Sequence, residues 1–305
     1  MNSLAFVTGA GSGLGRATAL EFARKGWRVI AGVRTGADAQ SLKREAPEIV
    51  PIQIDLSDPA NILRAAAEVE RLSGPQGLAV LCNAAGYAIY GPIEHTTPED
   101  VVRLFQVLTF GPTQLASALR PALARHRSAT GKKSKILNVT SWASMDATPF
   151  VGYYAAAKAA LLRLTQAQMY EFGHFGIDVI AIVPGLMKTS FVTRASSEIE
   201  GAISSLSPEA LRDYGAPMRR LARLSATADS NALAAPPSWI ARGLVALSGR
   251  RRLRPQYNFG VDTWLVVAMN RLLPFWALRR IKVAMFGLEP PSLTAANNRS
   301  AHDLQ

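Results

Sequence analysis

Tyr154 and Lys158 stand four residues apart, and Ser141 lies thirteen before the tyrosine. On a helix, that four-residue spacing brings both side chains out of one face, a turn apart. The run from Ala159 to Leu164 is mostly strong helix formers, which predicts such a helix. Ser141 ends the apolar run Ile136-Leu137-Asn138-Val139, which reads as a buried strand. A hydroxyl at a strand's carboxyl end would then face a phenol and an ammonium on the next helix. That set can move a proton: the phenol gives it up or takes it back, and the cation stabilises the phenolate. A free tyrosine titrates near pH 10, and bringing it to about 7 takes about 4 kcal/mol of preferential phenolate stabilisation. Lys158 can supply part of it. Tyr153 is the competing phenol, but the spacing to Lys158 favours Tyr154. Tyr-x-x-x-Lys alone occurs by chance in many helices, so its weight rests on what precedes it.

What precedes it is a nucleotide-binding pattern. Thr8-Gly9-Ala10-Gly11-Ser12-Gly13-Leu14-Gly15 joins the first strand-like run to the first helix-like one. Glycines let the backbone turn sharply and approach a pyrophosphate, and the helix N-terminus offers free N–H groups and partial positive charge. The second strand ends Ala31-Gly32-Val33-Arg34-Thr35, with no carboxylate for a ribose. Arg34 suits a 2′-phosphate, which points to NADP (NADPH) over NAD, although a solvated surface arginine would read the same way. Asp55-Leu56 follows the third strand and suits either an adenine-edge contact or a turn before the helix at Pro59. Asn83-Ala84-Ala85-Gly86 follows the fourth; its small residues let a cofactor pass close, and Asn83 can stitch neighbouring strand ends together.

The elements that must position these groups alternate. Strand-like runs are Leu4–Val7, Arg28–Val33, Val50–Ile54, Leu78–Leu81, Lys135–Val139, Asp178–Val183 and, later, Pro255–Phe259. Helical stretches lie at about Leu14–Lys25, Ala37–Arg44, Pro59–Leu72, Pro98–Arg127 (with a break near Gly111-Pro112) and Gly152–Phe172. Asp58-Pro59 and Thr97-Pro98 each place a capping side chain before a proline at the first helical position. Alternation of this kind implies α/β architecture, with parallel strands and helices on both faces. The 305 residues, 49% hydrophobic, suffice for a large core. The single cysteine, Cys82, excludes a disulfide framework and a cysteine metal site. The scattered histidines lack ligand spacing, so no metal is expected. No uncharged apolar run reaches the roughly 18 residues of a spanning helix, and the N-terminus lacks signal-peptide character. A reducing, cytoplasmic setting is expected. The net charge of +12 favours anionic partners, but no nucleic-acid motif accompanies it, so nucleic acid is not expected as a partner.

In order and spacing these motifs resemble the short-chain dehydrogenase/reductase family: TGxxxGxG as Thr8, Gly9, Gly13 and Gly15; the NAG-type motif as Asn83 to Gly86; Ser141, Tyr154 and Lys158; and Pro184-Gly185 followed by Thr189. The resemblance covers about residues 3–190 and is nearest to the retinol- and hydroxysteroid-dehydrogenase-like branch. It implies a Rossmann-type doubly wound parallel sheet of about seven strands, with a helical substrate cap at about 190–235 inside a single 1–260 domain. It implies that Tyr154 is the acid/base and that Lys158 also binds the nicotinamide ribose. Ser141 would orient the substrate oxygen, Pro184-Gly185 would form the turn beside the nicotinamide, and Thr189 would hold the carboxamide. A homodimer or homotetramer pairing through helices around 112–127 and 152–172 is likewise implied. One position departs: where the family usually has a catalytic asparagine, in a VNxxG-like segment, Val107-Leu108-Thr109-Phe110-Gly111 places Leu108. A backbone carbonyl there can still hold a relay water; the alternative is an impaired, nucleotide-binding protein.

The substrate end is less explicit. Trp142, Met145, Phe150, Val151, Met187 and Phe191 are candidate apolar walls, and together with the tyrosine and serine they favour a lipophilic alcohol or carbonyl substrate. Residues 264–288 alternate apolar stretches with Arg271, Arg279, Arg280 and Lys282, which predicts two short basic amphipathic helices in a 261–291 extension. A lid or dimer contact is the preferred reading, and peripheral membrane contact the other. Residues 292–305 read as a disordered tail.

Overall fold

The structure, a computed structural model, describes residues 3–188, 190–228 and 234–288. Seven strands form one sheet: β1 (Leu4–Thr8), β2 (Arg28–Val33), β3 (Val50–Gln53), β4 (Val80–Asn83), β5 (Ser134–Val139), β6 (Ile177–Pro184) and β7 (Gln256–Phe259). All are parallel, in the order β3-β2-β1-β4-β5-β6-β7. Every residue of β1, β4 and β5 is buried, as a sheet covered on both faces requires. Helices α1 (Gly13–Arg24) and α2 (Gly36–Glu45) cover one face; α3 (Pro59–Ser73) begins the other. The chain then runs through α4 (Pro98–Phe105), α5 (Gly111–Thr130) and α6 (Gly152–Gly173), and α5 and α6 complete that second face. The strand order reverses between β1 and β4, so a crevice opens outside the carboxyl ends there.

The predicted caps form. Asp58 accepts from the Ala60 amide at 2.8 Å, and Thr97 accepts from that of Asp100 at 3.2 Å. Among the boundaries that differ from the sequence reading, two stand out. β4 starts at Val80: the Leu78 amide goes to the Ala122 carbonyl at 2.9 Å, and Ala79, whose amide reaches the Leu4 carbonyl of β1 at 3.0 Å, leads into the strand. The expected break near Gly111-Pro112 is a single π-helical segment, Gln106–Phe110, which joins α4 to α5 without interruption. Pro112 has no N–H for the Leu108 carbonyl, and its ring would press on that carbonyl in an α-helical register; the wider turn relieves both. Gly111 is required at the junction, since a Cβ there would lie 2.8 Å from the carbonyl oxygens of both Gln106 and Leu56.

Beyond β6, α7 (Ser190–Ser204) and α8 (Pro208–Ala228) pack together, followed by α9 (Pro237–Gly249), which lies beside α1 on the first face. After β7 come α10 (Val261–Leu272) and α11 (Phe275–Phe286). A separate small core, including Phe150, Ile199, Met218, Leu221 and Phe286, joins α7, α8 and α11 to the segment preceding α6. Phe150 adopts φ +64°, a conformation that costs about 1 kcal/mol or more for a bulky residue. The tail at 292–305 lies outside the described residues.

Candidate active site

The glycine-rich turn leads from β1 into α1 and is held by backbone proximity. A Cβ on Gly15 would stand 2.6 Å from the Gly9 carbonyl carbon, and one on Gly9 would stand 2.7 Å from the Ala85 Cα. Thr8 Oγ1 accepts the amides of Ala84 and Ala85, at 3.2 and 3.4 Å, tying this turn to the Asn83–Gly86 segment. Ser12 precedes α1, with Gly13, Leu14 and Gly15 in its first turn, and all four line the cleft. Asn83 donates to the side-chain oxygen of Asn138 at 2.8 Å, and Asn138 donates to Thr165 at 2.9 Å. These amides therefore join β4, β5 and α6, as expected of Asn83. The bare backbone and the open N-terminus of α1 fit a dinucleotide pyrophosphate.

Arg34 is exposed at the cleft edge after β2. The strand end carries no carboxylate, but the first turn of α2 brings one back. The Asp38 carboxyl carbon lies 2.8 Å from where a Gly11 Cβ would be, and Asp38 accepts from the Thr35 hydroxyl at 2.7 Å. Asp55 and Leu56 both line the cleft. Asp55 holds a turn, accepting the Ser57 amide and hydroxyl at 2.8 and 2.7 Å, while Asp58 caps α3. Burial pushes the Asp55 carboxyl up, but the Ser57 hydrogen bonds and nearby Arg103 and Arg34 outweigh it, so it titrates low.

Ser141, at the end of β5, and Tyr154 and Lys158, on α6, converge. The Tyr154 and Ser141 hydroxyls share a hydrogen bond. The buried Lys158 ammonium donates to the Val139 carbonyl at 2.8 Å and lies 6.0 Å from the centre of the Tyr154 ring. Burial pushes the lysine down to about 8; burial pushes the phenol up, opposed by Ser141. Both shifts have one cause, withdrawal of charge from water. Tyr153 points elsewhere, its hydroxyl 3.5 Å from the Ile93 carbonyl. Leu108 is fully buried against the ring side of this group, packed with Leu104, Ala157 and the half-buried Tyr154. Thr109 gives its hydroxyl to the Ala157 carbonyl at 2.9 Å, so neither it nor Asn138 substitutes for the missing asparagine.

Pro184 and Gly185 line the cleft, and the Gly185 amide donates to the Phe259 carbonyl at 2.7 Å. Asp262, at the start of α10, accepts the Leu186 amide at 2.6 Å and fills the space that side chains on Gly185 and Gly260 would need. No sequence motif marks Asp262. Thr189 lies outside the described residues. Of the apolar candidates, Trp142, Val151 and Met187 line the cleft. Phe150 is instead part of the small core, Met145 faces Gln256, and the Phe191 side chain is not described. The opposite wall, unread in the sequence, is supplied by Leu221 and Leu224 of α8, Met269 of α10, and Ile281 and Met285 of α11. Lys282 of α11 pairs with Asp146 and donates to the Ala147 carbonyl at 2.6 Å, strapping this wall to the loop after Ser141. The whole cleft encloses about 1100 Å³.

The family model described as short chain dehydrogenase matches residues 3–200. Among curated relatives, NADPH-dependent 3-dehydrocapnine reductase of Ornithobacterium rhinotracheale is 31% identical over 63% of this chain and 68% of its own length. Retinol dehydrogenase 5 of Homo sapiens is 32% identical over 70% and 66%, respectively. Among solved structures, a short chain dehydrogenase from Burkholderia cenocepacia in complex with NADP superposes with a TM-score of 0.67 at 24% identity, covering 95% of this chain and 98% of that one.

Proposed function

The chain belongs to the short-chain dehydrogenase family of oxidoreductases, and from that premise we propose that it interconverts a lipophilic alcohol with its ketone or aldehyde using NADP(H). The observation that carries this reading is the meeting of Ser141, Tyr154 and Lys158 in one cleft, with a bare glycine cradle at one end and an apolar wall at the other. The dinucleotide, when bound, supplies or accepts the hydride. Everything else falls to the chain. Tyr154 gives its hydroxyl proton to the carbonyl oxygen as reduction proceeds and recovers it in the reverse direction. Ser141, already hydrogen-bonded to that hydroxyl, orients the substrate oxygen. Lys158, kept protonated at neutral pH by a pKa of about 8, stabilises the phenolate across a site where water does not screen it. We place proton resupply past the π-helical segment, where Pro112 offers the Leu108 carbonyl no α-helical donor.

Arg34 supports NADP, as do the NADPH-dependent relative and the NADP-bound structure; Asp38, beside Gly11, acts against a 2′-phosphate and favours a ribose hydroxyl. The resemblance adds a homodimer or homotetramer through α5 and α6, working in the cytoplasm. Leu108 favours a second reading, a nucleotide-binding protein without turnover. NADPH consumption against apolar ketones and aldehydes, with NADH in parallel, separates the two. Turnover that Tyr154→Phe reduces by about 10²–10⁴-fold, with cofactor affinity retained, is the outcome expected of the enzyme. Cofactor binding without turnover across the panel would give the second reading.

A further inference from the structure

The last two helices carry two faces of opposite use. On α10, Thr263 is buried and Val266 and Met269 line the cleft, so one side of the helix is spent inward. Its outward side is Val261, Trp264, Leu265, Ala268 and Leu272, spaced i, i+3, i+4, i+7 and i+11, a single stripe of a 3.6-residue helix. A helix at a protein surface normally shows its polar side to water; this one shows an apolar side. At the α10–α11 turn Leu272 is 80% exposed, Phe275 81% and Trp276 64%, with Trp264 57% exposed further back. Arg271, Arg279 and Arg280 are exposed beside them. Between Thr263 and Leu288 there is no Asp or Glu, and Lys282, the remaining cation, faces inward to Asp146.

We propose that this face docks on an anionic lipid bilayer. The aromatic and aliphatic tips enter the interface and the three arginines meet lipid phosphates, in the manner of a helix that lies on a membrane. Charge decides against a second copy as the occupant: a self-paired face would gather two sets of Arg271, Arg279 and Arg280 with no acid in residues 264–288 to offset them. The chain's net charge of +12 adds attraction toward the same surface. Among the described residues no helix is long and apolar enough to cross a membrane, so the contact is peripheral. Ile281 and Met285 are partly exposed on α11 and also line the cleft, so the docked face adjoins its mouth. Passage of substrate from bilayer to cleft rests on the lipophilic reading above; docking does not.

The test is co-sedimentation of the intact chain with phosphatidylcholine vesicles, with and without phosphatidylglycerol. The expected result is at least about tenfold more protein pelleted with the anionic vesicles, falling as salt rises. The triple variant Leu272→Glu, Phe275→Glu, Trp276→Glu should stay in the supernatant while binding NADPH as the parent does, which shows that it is folded. Protein left wholly in the supernatant would overturn the proposal. So would a triple variant that pellets unchanged, because charge alone would then account for binding. A parent oligomer that this variant dissociates would assign the face to a second copy and overturn it equally. Because none of these readouts is turnover, failure of the enzymatic reading leaves the result interpretable.

Discussion

The two ends of the cleft are built from different materials. Around the glycine turn the surface is backbone: Gly9 against Ala85, Gly15 against Gly9, and Thr8 holding two amides, all anchored in β1 and β4, which are wholly buried. Around the apolar wall the surface is side chain, held by a small core, a carboxylate wedged beside two glycines, and one lysine strap. A wall of backbone has one shape and accepts almost no substitution. A wall of side chains can be rebuilt residue by residue while the strands stay fixed. On the reading proposed above, the pyrophosphate, the same whatever the substrate, belongs at the first, and the substrate belongs at the second.

Substitutions sharpen that contrast. The largest effect is expected at the backbone end: Gly15→Val has no room beside Gly9 and Thr8, and cofactor affinity measured by NADPH fluorescence should fall by at least about 100-fold. A mild effect there would mean that the turn is pliable and would break the comparison. Next is Asp262→Ala, which leaves the Leu186 amide without its partner and should lower melting temperature, at a cost of about 1–3 kcal/mol, as well as cofactor affinity. Lys282→Met, at the side-chain end, should raise KM by about 3–10-fold and leave kcat within about twofold, because it loosens a wall without touching the proton path. A fall in kcat instead would show that the strap positions Ser141. Of similar size is the effect on cofactor choice: Asp38→Asn should raise the NADPH/NADH ratio of kcat/KM by about 3–10-fold, and Arg34→Ala should lower it by about tenfold.

Lys158 gives a pH signature of the buried end. Its folded pKa of about 8 lies below the ordinary 10.5, so the unfolded chain binds more protons between these values. Its contribution to stability therefore rises with pH through that window, and at neutral pH the buried charge is a burden. The rate moves the other way. Reduction needs the ammonium, so reductive kcat/KM should decline as pH rises through about 8. Lys158→Arg, which does not titrate in this range, should remove that decline even if the maximum rate drops.

The backbone end was legible from sequence because its parts are local. The glycine turn, Asn83–Gly86, Ser141 and the Tyr154/Lys158 pair each sit within a few residues of a strand end or along one helix, and six of seven strands lay within a residue of their expected starts. What was not legible, at either end, depends on tertiary return. Asp38 reaches Gly11 only because α2 folds back over the turn, and Asp262 reaches Leu186 only because β7 adds beside β6. Neither leaves a motif. Phe150 and Met145 read as wall residues since they flank Ser141 and Tyr154, yet the left-handed backbone of the first turns it into the small core, and the second faces Gln256. The π-helical segment hides for a similar reason: Pro112 signals a break, and only the packed helix shows how the break is absorbed.

The position of β7 also sets an order of events on the ribosome. β6 is complete at Pro184, but the strand that covers its outer edge begins at Gln256. At ~5–20 residues per second, roughly 4–14 s of synthesis separate the two. Throughout that interval the nascent chain carries a finished glycine cradle and the open edge of Ile177–Pro184, whose run of isoleucine, valine and alanine is a template for pairing with another chain. A nascent chain paused or truncated before β7 is thus the form of this protein most exposed to aggregation, and a nucleotide bound to the finished half would not shield that edge.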